Sequence, residues 1–205
     1  LAPFIKKARE LAARGLISFR FRHRIDALEV VDGVIGGVSG AVLASDPVPR
    51  GATSCRDVLA DFRFDASAVV VTSGGIGGNH ELVRQNWPVQ RLGQPPRDMV
   101  CGVPAHVDGR MIGITEAAGG AVINRDRMWH YTEGVKNHDP IWPNHGIRIL
   151  PGPSSFWCDA RGDRLPAPAM PGFDTLGTLK ILRERDSDYS WFILTKAIIK
   201  KEFAL

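Results

Sequence analysis

The sequence Ala68-Val69-Val70-Val71-Thr72-Ser73-Gly74-Gly75-Ile76-Gly77-Gly78-Asn79 lies in the first half of the chain. Its β-branched, apolar start is typical of a buried strand. The glycines that follow leave the backbone free to adopt positive φ angles and allow another group to come close. Residues 80–85 then begin a predicted helix, for which Asn79 is the expected N-cap. The predicted arrangement is therefore a strand, a glycine corner and a helix N-terminus.

Such a corner can serve either of two purposes. A helix N-terminus beside glycines offers backbone N–H groups and a positive dipole to a phosphate or pyrophosphate. The same geometry also occurs in a tight turn that binds nothing. Counted from Gly75, the dinucleotide motif GxGxxG requires a glycine at position 80, where the chain has His80. The corner is therefore not the primary dinucleotide fingerprint, and we interpret it as a supporting element.

The composition is that of a globular protein. The chain has 205 residues, of which 44% are hydrophobic and 23% charged, and its formal net charge is +4. This mild positive charge suits an anionic ligand without requiring nucleic acid. Three widely separated cysteines, with no CxxC, favour a reducing compartment, here the cytoplasm, over a disulfide framework or a zinc site. No run of about 18 apolar residues is present, so no membrane-spanning segment is expected.

A β-meander is predicted ahead of the corner, after an amphipathic helix over residues 3–14 that Gly15 ends. Residues 19–25 alternate Phe-Arg-Phe-Arg-His-Arg-Ile, the pattern of a half-exposed strand. Residues 28–43 form two apolar runs around Asp32-Gly33, the preferred two-residue turn of a β-hairpin. The arginines of residues 19–25 are either a nucleic-acid stripe or a solvated sheet edge. We favour the solvated edge and expect no nucleic-acid partner.

The second half mixes predicted helices with irregular segments, beginning with a loop over residues 87–105. Residues 127–133, Arg-Met-Trp-His-Tyr-Thr-Glu, hold the densest group of side chains that can move protons. A histidine between Trp and Tyr is either a packed core residue or, where it faces a pocket, a functional one. No histidine spacing indicates a metal site. The remaining predictions are helices at 107–118, 174–185 and 196–205, a short strand at 121–123, a strand or helix start at 189–194, and a turn between two extended pieces within 157–165.

Taken together, these segments resemble the FAD-binding dehydrogenases related to fumarate reductase flavoproteins, succinate dehydrogenase flavoproteins and 3-ketosteroid dehydrogenases. Residues 69–79 are similar to that family's ATGG…N strand and turn, and residues 34–38 to its GxVxGV hairpin. Residues 106–120 resemble its GDG…A…GA segment, residues 128–132 its QxHPT segment, and residues 159–165 the DxxGRRF turn of its capping domain. The matching motifs keep the family's order over nearly the whole chain.

The resemblance implies an α+β fold and FAD as the cofactor. Residues 1–125 would supply the β-meander and the strand–glycine corner–helix of an FAD-binding domain, and residues 126–205 part of an α+β capping domain. The chain starts at Leu1 and ends within a predicted helix, so we expect an internal piece of a longer flavoprotein. The implied cofactor-binding residues are Thr72, Ser73, Gly74, Gly75, Asn79, Asp108 and Gly109. The implied substrate-binding residues are His130, Tyr131 and Thr132, with His130 also catalytic.

The chain departs from the family pattern at two places. Tyr131 replaces the proline of HPT. Pro166-Ala167-Pro168 stands where dicarboxylate reductases carry NE followed by TRD, and residues 174–177 hold no match for their proton-donating arginine. An apolar, steroid-like substrate is therefore expected in place of fumarate.

The expected reaction is hydride transfer between a carbon of a small-molecule substrate and flavin N5, with the protein supplying positioning and electrostatics. His130 would move the accompanying proton or hold a substrate oxygen. A core role for His130 stays open, as does homo-oligomerisation. The alternative to an enzyme is a non-catalytic structural or association fragment. Because it lacks the GxGxxG motif, such a fragment would be unable to hold FAD by itself.

Overall fold

The computed structural model describes residues 1–49, 51–149, 152–170 and 172–202, which form two compact units. The first unit comprises Leu1–Pro49 and Thr53–Val70, and the second comprises the described residues from Val71 onward together with residues 51–52. Each unit combines helices with antiparallel strands, so the predicted α+β class is confirmed. The predicted functional division near residue 125 stays a prediction.

The helices and strands of the described residues are interspersed along the chain, in groups of up to three of one kind. No described helix has both the length and the apolar character needed to cross a membrane. In chain order the elements are α1 (Ala2–Ala13), β1 (His23–Val31), β2 (Val34–Leu43), β3 (Val58–Asp65), α2 (His80–Gln85), α3 (Val89–Leu92), α4 (Arg110–Ala117), β4 (Gly134–Lys136), β5 (Gly146–Arg148), β6 (Phe156–Cys158), α5 (Thr175–Glu184), β7 (Trp191–Ile193) and α6 (Lys196–Glu202).

The first unit is built on the predicted meander, a three-stranded antiparallel sheet in the order β1-β2-β3. Asp32 and Gly33 have φ angles of 52° and 78°, the left-handed conformations that a two-residue hairpin turn requires. Within β2, a Cβ added at Gly40 would collide with the carbonyl oxygen of Arg24 on the neighbouring strand. Glycine at this position thus allows a close approach between the two backbones.

The strand predicted for residues 19–25 is wrong in its first half, because β1 begins at His23. Arg22 adopts a left-handed conformation with φ of 59°. Its Nε donates to the carbonyl of Ala44 at 2.7 Å and its Nη1 to Ser54 Oγ at 2.9 Å. This guanidinium therefore organises the loop after β2 and does not contribute to an exposed arginine stripe.

The buried strand predicted for residues 68–71 does not form. Val70 is 85% exposed and Val71 is 44% exposed, and none of the described strands pairs with this segment. A strand obtains its backbone hydrogen bonds from neighbouring strands, and an apolar composition alone does not supply them. The short strand predicted at residues 121–123 is absent for the same reason, and Ile123 is also exposed.

The helix predictions of the second unit are largely confirmed. Helices α2 and α5 begin after Asn79 and Asp174, whose side chains accept hydrogen bonds from the first turns. Helix α4 begins at Arg110, three residues later than predicted, because Gly109 has φ of 84°. The loop predicted over residues 87–105 contains the one-turn helix α3. Helix α6 is confirmed to Glu202, and the rest of that predicted helix lies outside the described residues.

Two apolar clusters form the core of the second unit, and α5 contributes to both. Leu179 of this helix belongs to the first cluster and Leu182 to the second, so α5 joins them. The first cluster, called the Trp87 cluster below, is Val83, Trp87, Leu92 and Leu179, with Ile76, Met99, Met128 and Leu176 packed against it. The second is Trp157, Leu165 and Leu182, with Ala169, Ile181 and Phe192.

Candidate functional site

The glycine corner, residues 72–79, leads directly into α2. Asn79 Oδ1 accepts a hydrogen bond from the Leu82 N–H at 3.1 Å, the N-cap that the sequence predicts. The residues from Thr72 to Gly75 are exposed. Within the described part of the chain, no hydrogen bond uses their backbone N–H groups. The corner therefore presents uncommitted donors beside a helix cap.

A second segment, the clasp (residues 101–109), holds the glycine corner in place. The Gly78 N–H donates to the Val107 carbonyl at 2.8 Å, and Asn79 Nδ2 donates to the Asp108 carbonyl at 3.5 Å. The Asp108 carboxylate accepts from the Arg110 N–H at 2.9 Å at the start of α4. The structure thus brings together the two groups of predicted cofactor-binding residues, which are 29 positions apart at Asn79 and Asp108.

The glycines of this region have different surroundings. A Cβ at Gly78 would lie 2.5 Å from the Pro104 carbonyl oxygen, and one at Gly109 would lie 2.8 Å from Ile76 Cγ2. These two positions are closed by packing. A Cβ at Gly75 would meet nothing within 4 Å, so this position opens to solvent. Open glycine backbone with free N–H groups fits an acceptor-rich ligand such as the phosphate-bearing part of FAD.

His130 lies in residues 128–132, a segment without helix or strand, and its ring packs against Trp87 of the Trp87 cluster. Its ring centroid is 4.6 Å from that of Trp87. His130 Nε2 and Thr132 Oγ1 are both buried, and neither has a hydrogen-bond partner among the described residues. Burial lowers the pKa of His130 below its ordinary value, and the positive charge of Arg91 lowers it further. His130 is therefore a neutral imidazole at neutral pH.

Tyr131 is more exposed than its neighbours His130 and Thr132. It is 45% exposed and its neighbour Trp129 is 87% exposed, and their ring centroids are 6.3 Å apart in an edge-to-face arrangement. The guanidinium carbon of Arg148 lies 4.2 Å from the Tyr131 ring centroid. The Tyr131 ring is thus open to solvent, whereas His130 Nε2 and Thr132 Oγ1 are buried.

The Trp87 cluster connects the two groups of predicted site residues. Ile76 of the glycine corner packs against it, and so does Met128, two residues before His130. Trp87 itself contacts the imidazole ring. The two segments that contain the predicted cofactor-binding and substrate-binding residues therefore pack against one apolar cluster within the second unit.

Glu133 is a further site residue to which the sequence assigned no role. Its side chain is fully buried and accepts hydrogen bonds from the Gly172 N–H and from Thr175 Oγ1, both at 3.2 Å. The Nε of Arg148 lies 3.6 Å from the same carboxylate. Glu133 thereby fixes the end of the His130 segment to the first turn of α5. In the sequence, the only feature that pointed to Glu133 was its position within the proton-capable group of residues 127–133.

Cys101 also escaped the sequence predictions, because it stands alone without a motif. It is buried, and its Sγ lies 3.0 Å from the Gly77 carbonyl oxygen of the glycine corner. In the described residues, no group of three or more side chains of metal-binding type occurs.

A family model described as an FAD binding domain matches residues 1–205 of the chain. Among curated proteins, the chain is 61% identical over 198 residues to a KsdD-like steroid dehydrogenase of Mycolicibacterium smegmatis, covering 97% of this chain and 36% of that protein. It is 60% identical over 197 residues to a KsdD-like steroid dehydrogenase of Mycobacterium tuberculosis, covering 96% of this chain and 35% of that protein. The chain thus spans about a third of the length of these relatives. No solved structure matches.

Proposed function

The chain belongs to the FAD binding domain family, and from this premise we propose that the protein is an FAD-dependent dehydrogenase acting on an apolar, steroid-like substrate. The observation that carries the proposal is the shared Trp87 cluster. Ile76 of the glycine corner and Met128 beside His130 pack against the same apolar side chains. This common support favours one site in which cofactor and substrate lie close together.

In the proposed site, the glycine corner and the start of α4 bind FAD. The free N–H groups of residues 72–75 suit the oxygen acceptors of a phosphate-bearing cofactor. FAD, when bound, supplies the hydride chemistry at flavin N5. The residues that we assign to cofactor binding are Thr72, Ser73, Gly74, Gly75, Asn79, Asp108 and Gly109.

We assign proton handling or substrate-oxygen binding to His130. Its neutral form leaves one ring nitrogen able to accept a proton, because an imidazole with a lowered pKa carries only one N–H. The buried Nε2 has no partner within the described residues, so it is not engaged by an existing hydrogen bond. Thr132 Oγ1 is also buried without a hydrogen-bond partner in the described residues, and its hydroxyl can donate to a substrate oxygen. Tyr131, the third proposed substrate residue, would contact the substrate only through its exposed ring.

Two observations favour an apolar substrate over a dicarboxylate. The names of the two relatives describe steroid dehydrogenases. Arg91, whose charge acts on His130, is already bound by Asp126, with 2.7 Å to its carbonyl and 3.4 Å to its carboxylate. A dicarboxylate would therefore compete with Asp126 for this arginine, whereas an apolar ring system would not.

The test is anaerobic reduction of the flavin in the whole protein. The purified protein should carry a visible flavin band, and a 3-ketosteroid should bleach it faster than succinate does. His130→Ala should slow bleaching by the steroid by roughly 10²–10⁴-fold if it transfers the proton. Thr178→Ala is the matched control, because Thr178 also has a buried, unpartnered hydroxyl in the described residues but lies outside the proposed site.

A whole protein that stays colourless with added FAD would overturn the proposal and favour a non-catalytic association role. If succinate reduced the flavin faster than any steroid did, only the proposed substrate class would be overturned. If the flavin of both His130→Ala and Thr178→Ala were reduced at the wild-type rate, His130 would be a packing residue.

A further inference from the structure

The backbone of Cys101 is held by a loop that lies more than 40 residues further along the chain. Its N–H donates to the Asn144 carbonyl at 2.7 Å. Its carbonyl accepts from the Gly146 N–H at 2.9 Å and from Trp142 Nε1 at 3.0 Å. Three hydrogen bonds thus hold the backbone of this one residue against residues 142–146.

That loop has contacts of its own, centred on Trp142 and His145. The rings of Trp142 and His145 lie 3.9 Å apart, and His145 is buried. His145 Nδ1 accepts a hydrogen bond from the Ile141 N–H at 3.1 Å. Because a backbone N–H can only donate, Nδ1 carries no proton and the ring is held in one tautomer. The loop that holds Cys101 is therefore a turn with internal hydrogen bonds and a packed ring pair.

The side chain of Cys101 reaches the glycine corner on its other side. Its Sγ lies 3.0 Å from the Gly77 carbonyl oxygen and 2.9 Å from the Val103 carbonyl oxygen. A thiol has one proton, so it donates to one of these carbonyls at a time. Within the described residues, neither carbonyl has another hydrogen-bond donor. The thiol is thus the polar link between the loop and the corner at Gly77.

We propose that Cys101 is a positioning residue that holds the glycine corner at a fixed place relative to the loop of residues 142–146, and thereby sets the affinity of the corner for FAD. The inference rests on the proposed function, because it takes the corner as part of the FAD site. Cys101 itself need not touch the cofactor.

The test compares three variants of the whole protein after removal and re-addition of FAD. Cys101→Ala removes the thiol donor, and Cys101→Ser keeps a donor of nearly the same reach. Cys158→Ala is the matched control, since Cys158 is also buried but lies in β6, where it pairs with Trp191 of β7. Flavin fluorescence gives the dissociation constant of each, and circular dichroism gives the melting temperature.

Cys101→Ala should weaken FAD binding by about three- to tenfold, the range expected for one lost hydrogen bond. Cys101→Ser should restore the wild-type affinity, and Cys158→Ala should retain it even where its melting temperature falls. If Cys101→Ala fails to fold, Trp142→Phe replaces it, since this change removes the Nε1–H bond to Cys101 and keeps an aromatic ring beside His145.

Equal FAD affinities for wild type, Cys101→Ala and Cys158→Ala would overturn the inference while leaving the proposed function intact. The inference would also be overturned if Cys101→Ser bound FAD as weakly as Cys101→Ala, since the hydrogen-bond donor would then be irrelevant. A wild-type protein that binds no FAD would instead overturn the proposed function.

Discussion

The N–H of Gly78 donates a hydrogen bond to the carbonyl of Val107 at 2.8 Å. A Cβ at position 78 would stand 2.9 Å from that oxygen and 2.5 Å from the carbonyl oxygen of Pro104. Both contacts are with backbone, which cannot move aside as a side chain can. The clasp therefore requires glycine at this position, whatever ligand the corner binds.

We expect Gly78→Ala to lower both the stability and the FAD affinity of the whole protein, since the corner must move away from the clasp. The melting temperature should fall by several degrees, consistent with overpacking of about 1–3 kcal/mol. Thermal unfolding followed by circular dichroism measures this. A melting temperature equal to that of wild type would contradict the tight packing at Gly78.

Gly75→Ala, unlike Gly78→Ala, should change the FAD affinity without changing the stability. Its added methyl group meets nothing within 4 Å, so stability should be unchanged. If Gly75 lies against FAD, the methyl group should weaken cofactor binding, measured by flavin fluorescence. Gly113→Ala is the control, because that position is equally open but lies in α4. Retention of full FAD affinity by Gly75→Ala would remove Gly75 from the proposed cofactor site.

The ionisation of His130 should make stability depend on pH. Its folded-state pKa lies below the unfolded value of about 6.5. As the pH falls through the unfolded pKa, the unfolded chain binds the proton first, so stability decreases until the folded pKa is reached. The pKa of His80 is also lowered, first by burial and then by the charge of Arg84, so His80 changes stability in the same direction. Urea unfolding between about pH 8 and pH 5 should show a smaller loss of stability for His130→Asn than for wild type. An identical slope would show that His130 is not buried in the folded state.

Glu133→Gln should destabilise the protein by about 1–3 kcal/mol. The carboxylate receives donors from Gly172, Thr175 and Arg148, and an amide nitrogen in its place would face one of these donors. Denaturant unfolding measures the change. Glu184→Gln is the control, because among the described residues Glu184 forms only an exposed pair with Lys180. This substitution should change stability by less than about 0.5 kcal/mol. Equal effects of the two substitutions would contradict the buried role of Glu133.

The hairpin turn offers a test that is independent of any ligand. Gly33→Ala should cost about 1–2 kcal/mol, because an L-residue is strained at φ of 78°. Gly36→Ala should be nearly neutral, since its Cβ would make an ordinary contact of 3.6 Å with Val31. Chemical unfolding of both variants compares them. A Gly33→Ala variant as stable as Gly36→Ala would show that the turn is not of this left-handed type.

Several features followed from the sequence because their interactions are local. The Asp32-Gly33 turn and the Asn79 cap each involve residues within three positions of one another, so short patterns predict them. The order of the family's motifs along the chain predicted FAD as the cofactor, and the family match confirms it. The corner's N-cap and the backbone freedom of its glycines were thus available from the sequence.

The tertiary structure decided the rest, because those features depend on partners far away in sequence. The apolar residues 68–71 have the composition of a buried strand but no strand of the described chain pairs with them. Three contacts join segments more than 20 residues apart: the hydrogen bond from Gly78 to the clasp, the hydrogen bond from Gly172 to Glu133, and that from Cys101 to Gly77. Sequence pattern records the polarity and local geometry of each residue. Which distant group satisfies its hydrogen bonds is fixed only when the chain folds.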